Sequence, residues 1–254
     1  MEVHHHPHVE KKTFKEYLLE GLMIFLAVTM GFIAESIREN ITKHEREHHL
    51  MEMLVEDLKA DIPKLDTVYK NDSIKREFID SLRHCIYAAS EKILPDTVYR
   101  NMYYLHRRYG RSRIEFVPTL RTLNQFEKND AFNLISSQVV SDSIQNYADG
   151  NRAIDKQHTA FRGFEGEALD IGQMIFDYRF FENYRGNISR ELILQSTQKF
   201  KLLDVDKKAF LAYGTKLYFS SGTMFNYLQF LKTHKAQAIR LIVLIENEYN
   251  LKKD

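Results

Sequence analysis

An uncharged apolar run near the start of the chain restricts the fold more than any other feature. Residues 21–34 read GLMIFLAVTMGFIA, fourteen residues without a charge. As a helix this run covers roughly 21 Å, and extending it to Tyr17 and Ile37 spans a bilayer core of roughly 30 Å. The extension takes in Glu20 and Glu35, which we place at the two membrane interfaces. We therefore predict a transmembrane helix over residues 14–37.

Two alternatives to an uncleaved anchor are a buried core helix and a cleaved signal peptide. The run has no small-x-small cleavage site and is followed directly by Glu35, which favours the uncleaved anchor. Lys and Arg are balanced on the two sides, so the charge rule for orientation gives little guidance. We expect a bacterial inner-membrane protein with one span, a short tail inside and a periplasmic soluble domain.

Composition favours an all-α soluble domain after the span. Four Pro and ten Gly among 254 residues leave room for long, uninterrupted helices. The net charge of +1 gives no field that would attract nucleic acid, and the single Cys85 forms no internal disulfide. The predicted organisation is a His-rich tail (1–13), a transmembrane helix (14–37), a membrane-proximal helical stalk (38–62) and a soluble helical bundle (63–254).

A heptad pattern continues the anchor into the stalk. The spacing alternates by four and three residues, which is typical of a side that packs against another helix. The partner is either a second copy or a later helix of the same chain. The pattern comprises Ile37, Ile41, His44, His48, Met51, Val55, Leu58, Ile62, Leu65 and Tyr69.

Two groups of histidines are candidate metal ligands. His44-Glu45-Arg46-Glu47-His48 fits H-E-x-x-H, in which two histidines bind zinc and the glutamate acts as general base. A catalytic zinc also needs a third protein ligand and a cleft, and no such ligand is evident in this charged helix. The second group is in the N-terminal tail and consists of His4, His5, His6 and His8. We expect no bound metal or cofactor, and a zinc hydrolase is a remote alternative.

The remaining chain predicts further helices. Pro63 is expected to begin a second helix or to kink the first. Residues 150–172 contain several glycines and predict a more open segment. A last helix is expected from about Lys207 to Leu251, returning along the stalk and covering its heptad side.

Two segments resemble a known group of proteins. Residues 20–61 resemble the N-terminal region of uncharacterised single-pass membrane proteins common in Bacteroidota, a domain-of-unknown-function family. A second block at residues 120–147 is similar to another region that those proteins share. The resemblance implies a membrane anchor and carries no catalytic residues. Its matching positions are Glu20, Gly31, Leu54, Asp57, Leu58, Phe132, Leu134 and Ile135.

The sequence thus predicts a membrane-anchored scaffold or accessory subunit, and no enzyme. Its expected partners are the lipid bilayer, other membrane or periplasmic proteins, and further copies of itself. The alternative is a homo-oligomeric ion-conducting or sensing assembly, because Glu20 and Glu35 lie fifteen residues apart on nearly the same side of one helix.

Overall fold

The regular elements of the chain are helices. The structure, a computed structural model, describes residues 13–111, 114–128, 131–183, 189–196, 201–203 and 206–251. Within these residues the sole β-type pairing is one bridge between Phe176 and Leu202. The all-α prediction is confirmed. The α-helices are α1 (Phe14–Glu91), α2 (Asp96–Arg111), α3 (Arg121–Lys128), α4 (Gln138–Ile175), α5 (Arg190–Gln195) and α6 (Lys207–Glu248), with 3₁₀ turns at Ala131–Leu134 and Tyr178–Asn183.

Helix α1 runs for 78 residues and contains Pro63 in its interior. No second helix begins at Pro63, so that alternative was wrong, whereas the kink stays a prediction. The proline removes one backbone donor, and the carbonyl of Pro63 itself accepts a hydrogen bond of 2.8 Å from the Thr67 hydroxyl. A single element therefore carries both the apolar run and the first helix of the bundle.

The chain divides into two compact units, residues 1–50 and residues 51–254. In the first unit the described residues form one helical segment. In the second unit, residues 65–86 of α1 join α2, α4, α5 and α6 around a continuous core rich in aromatic side chains. Its largest fully buried members include Tyr103, Tyr109, Phe176, Tyr213 and Tyr227.

Helix α6 returns antiparallel to α1, as the sequence predicts, but its contacts below lie at residues 59–91, and Ile37 and Ile41 of the predicted heptad side are exposed. Four contacts along the two helices fix this direction, because residue numbers rise on one helix as they fall on the other. The pairs are Lys59 with Glu246 at 3.1 Å, Asp66 with Lys235 at 2.7 Å, Asp80 with Ser221 at 2.8 Å and Glu91 with Lys207 at 2.8 Å.

The glycine-containing segment is helical throughout, so the prediction of an open segment at residues 150–172 was wrong. These residues lie inside α4. Two of the glycines make space for buried imidazole rings. A Cβ at Gly150 would come closer than 3.0 Å to His234, and a Cβ at Gly172 closer than 3.0 Å to His106. The glycines thus permit close packing of α4 against α6 and α2.

Candidate functional site

The apolar part of α1 is long enough and apolar enough to cross a membrane. One 18-residue window has a mean hydropathy of 2.0, and none of it is buried. Leu22, Phe25, Met30 and Phe32 each expose half or more of their surface. Such exposure is costly in water but favourable in a hydrocarbon environment.

The two carboxylates that flank the run are in helical, exposed positions. Glu35 accepts a hydrogen bond of 3.0 Å from Nε of Arg38, one turn further along α1. If this helix crosses a membrane, such a pairing would offset part of the cost of a carboxylate at the interface. Glu20 lies in the first turns of the helix and is also exposed.

The H-E-x-x-H segment is one exposed turn of α1. His44, Glu45 and His48 are all solvent-accessible, and Nδ1 of His44 lies 3.2 Å from the buried carboxylate of Glu47. Within the described residues, no group of three His, Cys, Asp or Glu side chains is placed to hold one metal ion. The tail histidines His4, His5, His6 and His8 lie outside the described residues.

The predicted heptad side differs between the two units. In the first unit Ile37 and Ile41 are 55% and 54% exposed. In the second unit Met51, Val55 and Leu58 are buried. The helix that returns along this part of α1 is α6, whose Leu241, Ile242 and Ile245 are buried at its C-terminal end.

Two aspartates on α1 hold the start of α3. The position before α3 is Leu120, whose side chain has no oxygen to cap the free backbone N–H groups. Asp57 supplies the cap instead, accepting 2.9 Å from the Thr122 N–H and 2.6 Å from its hydroxyl. Arg121 also pairs with Asp57 at 2.9 Å.

Asp61 lies one helical turn further along α1 and has still more partners. Its carboxylate accepts hydrogen bonds from the Thr119 N–H at 2.9 Å, the Thr119 hydroxyl at 2.6 Å and the Tyr147 hydroxyl at 3.1 Å. Lys64 pairs with it at 2.9 Å. Since Asp61 is almost fully buried, these donors replace the water it loses. Asp57 and Asp61 together dock residues 119–122 onto α1.

An ion pair lies inside the bundle between α1 and α4. Lys75 and Glu165 expose 3% and 1% of their side chains, and Arg162 pairs with the same carboxylate. The Lys75 ammonium also lies 5.2 Å from the ring centroid of Phe161. A buried pair of this kind costs desolvation and is costly to break by removing one partner. It joins α1 to α4 inside the bundle.

Asp72 lies near this pair and is also buried. Burial raises the pKa of its carboxyl to about 6, although the charge of Lys75 opposes part of that rise. Nearby, the hydroxyl of Ser220 lies 3.0 Å from that of Tyr109, which is also buried. The Lys75 ammonium, the Asp72 carboxyl and two hydroxyls are thus brought together. All of them are buried, which leaves no room for a substrate.

His106 on α2 lies between two tyrosines. Its Nδ1 is 2.7 Å from the Tyr213 hydroxyl and its Nε2 is 2.6 Å from the Tyr178 hydroxyl, while Phe176 stacks on the ring. Burial lowers the pKa of His106 to about 3. A neutral ring suits this arrangement, because one nitrogen donates to a tyrosine oxygen and the other accepts from the second hydroxyl.

His234 on α6 has a comparable place at the other end of the bundle. It stacks on Tyr147 with ring centroids 4.2 Å apart, and its Nε2 lies 2.8 Å from Oδ1 of Asn151. Burial lowers its pKa to about 4, against opposing effects of Gln237 and Asp61. Both histidines therefore act as packed, hydrogen-bonded core residues.

Among the clefts on the described bundle surface, two have volumes of about 500 Å³. One of about 520 Å³ lies between residues 116–127 and α4, and has an apolar floor that includes Phe116, Leu123 and Ile154. The other, of about 530 Å³, lies at the end of α1 near Tyr99 and Phe210. Both have the size of a small-molecule or peptide pocket.

The outward side of α6 is unusually apolar for an exposed helix. We name it the α6 outer face and define it by Leu211, Thr215, Tyr218, Gly222, Phe225 and Gln229, all of which are exposed. Tyr218 and Phe225 expose 56% and 43% of their surface. The sequence does not single out this face, because the buried side of α6 has an apolar heptad pattern of its own.

The chain matches no protein-family model, no curated protein and no solved structure. Its functional interpretation therefore depends on the residues and the geometry described above.

Proposed function

We propose that this protein is a membrane-anchored helical scaffold or accessory subunit that acts through contacts with other proteins. The observation that carries the proposal is the apolar window of α1, none of which is buried, on a helix that continues into a packed bundle. Lipid would cover that window, and the bundle would then be held close to the membrane surface. A bacterial inner membrane and a periplasmic bundle are part of the proposal.

Several buried polar groups of the bundle hold its own helices together. This favours a role in which the protein binds others through its surface. Asp57 and Asp61 dock α3, His106 and His234 pack in the core, and Lys75 pairs with Glu165. We therefore assign binding to the outer surface, which includes the two clefts described above and the α6 outer face. The homo-oligomeric ion-conducting alternative would need Glu20 and Glu35 to line a path, whereas the Glu35–Arg38 pair favours an interfacial role for Glu35.

Membrane fractionation of the full-length chain tests the anchor. We expect the protein in the pellet after ultracentrifugation and after an alkaline carbonate wash, with release by detergent. The double variant Leu26→Arg, Val28→Arg places two charges near the middle of the run. Each charge costs about 2.5–3.5 kcal/mol of insertion free energy. The double variant should move to the supernatant.

Ile41→Arg is the matched control, since Ile41 lies on the same helix with similar exposure but beyond the predicted span. It should stay in the pellet. Wild-type protein in the supernatant of detergent-free lysate would overturn the anchor. The binding half is tested by cross-linking in intact cells, where we expect species heavier than the 30.1 kDa chain; a chain that stays a monomer throughout would contradict it.

A further inference from the structure

Helix α2 and the two residues that follow it are strongly basic. Residues 96–113 contain five Arg and one Asp, a net charge of +4, whereas the whole chain has a net charge of +1. The one acid, Asp96, already pairs with Arg100 at 2.7 Å. The sequence thus places a local positive region on a nearly neutral protein, and such a region attracts acidic partners.

Arg107 and Arg108 of α2 each lie over an aromatic ring of a different neighbouring element. Cζ of Arg107 is 5.3 Å from the ring centroid of Phe181 in the 3₁₀ turn, and Cζ of Arg108 is 5.4 Å from that of Phe78 on α1. The two Nε atoms are buried without a hydrogen-bond partner, while both residues are partly exposed. The rings therefore position the guanidinium groups, and solvent reaches the terminal Nη nitrogens.

The two arginines have no acidic partner among the described residues. Neither Arg107 nor Arg108 forms an ion pair or a hydrogen bond within that part of the chain. The carboxylates on the elements around them pair with other residues or with neither arginine: Glu77, Asp80, Asp170, Asp177, Glu182 and Glu191. The charges of Arg107 and Arg108 therefore remain to be met by a carboxylate from outside the bundle.

Two further side chains extend this region along α2. Tyr104 lies one turn before Arg108 and is partly exposed. Arg190 of α5 is exposed and donates a hydrogen bond of 3.1 Å from Nε to Oδ1 of Asn101, which lies two turns before Arg108 on the same side of α2. We name this surface the α2 arginine face and define it by Tyr104, Arg107, Arg108 and Arg190.

The aromatic rings of this region are already covered, which separates the possible partners. Phe78 and Phe181 each carry a guanidinium group and pack against the core, and Tyr104 meets Phe78 edge-on with ring centroids 6.2 Å apart. A single-stranded nucleic acid needs open aromatic faces on which its bases stack. A carboxylate needs only the two Nη nitrogens, from which it accepts a pair of parallel hydrogen bonds. The geometry therefore favours the carboxylates of a protein segment.

We propose that the α2 arginine face binds an acidic segment of a partner protein, whose Asp or Glu carboxylates accept hydrogen bonds from Arg107 and Arg108. The inference rests on the proposed function, in which the bundle acts through contacts with other proteins. It adds the surface that makes the contact and the chemistry of the partner. Attraction of this kind steers the encounter of the two proteins and is weakened by salt.

Fluorescence anisotropy with the full-length chain in detergent tests the face. The probe is a fluorescein-labelled peptide of repeated Glu-Glu-Ser units, and a reference peptide has Gln in place of every Glu. We expect saturable binding of the Glu peptide, weakened by added salt, and no binding of the Gln peptide. No binding of the Glu peptide, or equal binding of both peptides, would overturn the proposal.

Two unlabelled competitors distinguish carboxylates from phosphates. Oligothymidine represents nucleic acid, and short-chain phosphatidylglycerol represents an anionic lipid. At equal charge concentration, unlabelled Glu peptide should displace the probe better than either competitor. Better displacement by oligothymidine or by the lipid would assign the face to a phosphate-bearing partner and overturn the proposal.

The double variant Arg107→Met, Arg108→Met removes both charges and leaves an apolar side chain over each ring. Its near-UV circular dichroism and melting temperature should stay close to those of wild type, and the Kd for the Glu peptide should rise about tenfold. The matched control Lys232→Met, Arg240→Met removes two exposed charges from α6. It should change that Kd by less than about twofold. A folded Arg107→Met, Arg108→Met protein that binds like wild type, or a control that loses as much affinity, would overturn the proposal.

The double variant Arg107→Lys, Arg108→Lys is a second measurement that keeps both charges. An ammonium group does not present two donors in a planar fork, so the Kd should rise about threefold. An unchanged Kd would overturn recognition by the guanidinium groups.

Cross-linking in intact cells separates this inference from the proposed function. The heavier cross-linked species expected of wild type should be reduced in the Arg107→Met, Arg108→Met variant. Species that persist unchanged in the variant would leave the proposed function in place and overturn the α2 arginine face as its site. A wild-type chain without such species fails as a scaffold even where it binds the Glu peptide, so the two failures are distinguishable.

Discussion

We call residues 14–43 of α1 the first length and residues 51–91 the second length. In both, the usual relation between polarity and burial is reversed. Residues 14–43 present Leu, Ile and Phe side chains outward, with none of the most apolar window buried. Residues 51–91 place Asp57, Asp61, Asp72 and Lys75 almost fully out of solvent. The sequence of one continuous helix is therefore suited to two different surroundings.

The difference teaches what each length needs from its neighbours. The first length has apolar side chains that the described part of the protein does not cover, and the membrane proposed above would cover them. The second length is covered by α2, α3, α4 and α6, and its charges need specific partners from those helices. If this comparison holds, removing a charge should damage the second length and barely affect the first.

The largest expected effect follows from removing Asp61. Asp61→Ala leaves the Thr119 N–H and the Tyr147 hydroxyl without their acceptor inside the bundle, and we expect a loss of about 3–5 kcal/mol in the free energy of unfolding. The measurement is urea denaturation of the bundle in detergent, followed by near-UV circular dichroism.

Glu35→Ala is the control from the first length, because Glu35 is half exposed and pairs only locally with Arg38. It should change the free energy of unfolding by less than about 0.5 kcal/mol. Equal losses in the two variants would show that the second length does not depend on its buried charges.

A smaller effect is expected from acidifying the bundle. The pKa of His106 is about 3 in the folded chain and about 6.5 when unfolded, so its contribution to stability is present above pH 6.5 and is lost as pH falls toward 3. Between pH 7 and pH 4.5 this amounts to about 2–3 kcal/mol.

Comparing wild type with His106→Gln isolates this contribution, because Asp72 and the other titrating groups are the same in both. Burial raises the Asp72 pKa to about 6, so that group acts in the opposite sense and favours folding at acidic pH. The unfolding free energy of wild type should fall more steeply between pH 7 and pH 4.5 than that of the variant. Parallel pH profiles would contradict the neutral, buried role of His106.

Periodicity allowed the sequence to predict the helices but not their polar contacts. The return of α6 follows from its heptad pattern and the scarcity of Pro. The docking of Thr119 and Thr122 onto Asp61 and Asp57 joins residues 58 and 65 positions apart. A pair of aspartates four residues apart resembles any solvated helix face, so no local pattern identifies them. In the sequence, Asp57 is one of the positions that carry the family resemblance, and no contact with residues 119–122 follows from that.

The glycines of α4 are a second case in which the sequence pattern does not predict the packing. Their substitution has the smallest expected effect on the free energy of unfolding. Glycine in a sequence suggests an interruption, whereas Gly150 is needed because His234 occupies the space of its Cβ. Gly150→Ala should lower the free energy of unfolding by about 1–3 kcal/mol through overpacking. Gly163→Ala in the same helix, with open space around it, should raise it by about 0.5–1 kcal/mol.

Gly31→Ala in the first length should leave bundle unfolding unchanged, since nothing lies within 4 Å of its Cβ position. Because all three substitutions add one methyl group to α-helical glycine, opposite signs for Gly150 and Gly163 would attribute the difference to packing alone. Equal signs would mean that helix propensity, not the imidazole, explains the glycine at position 150.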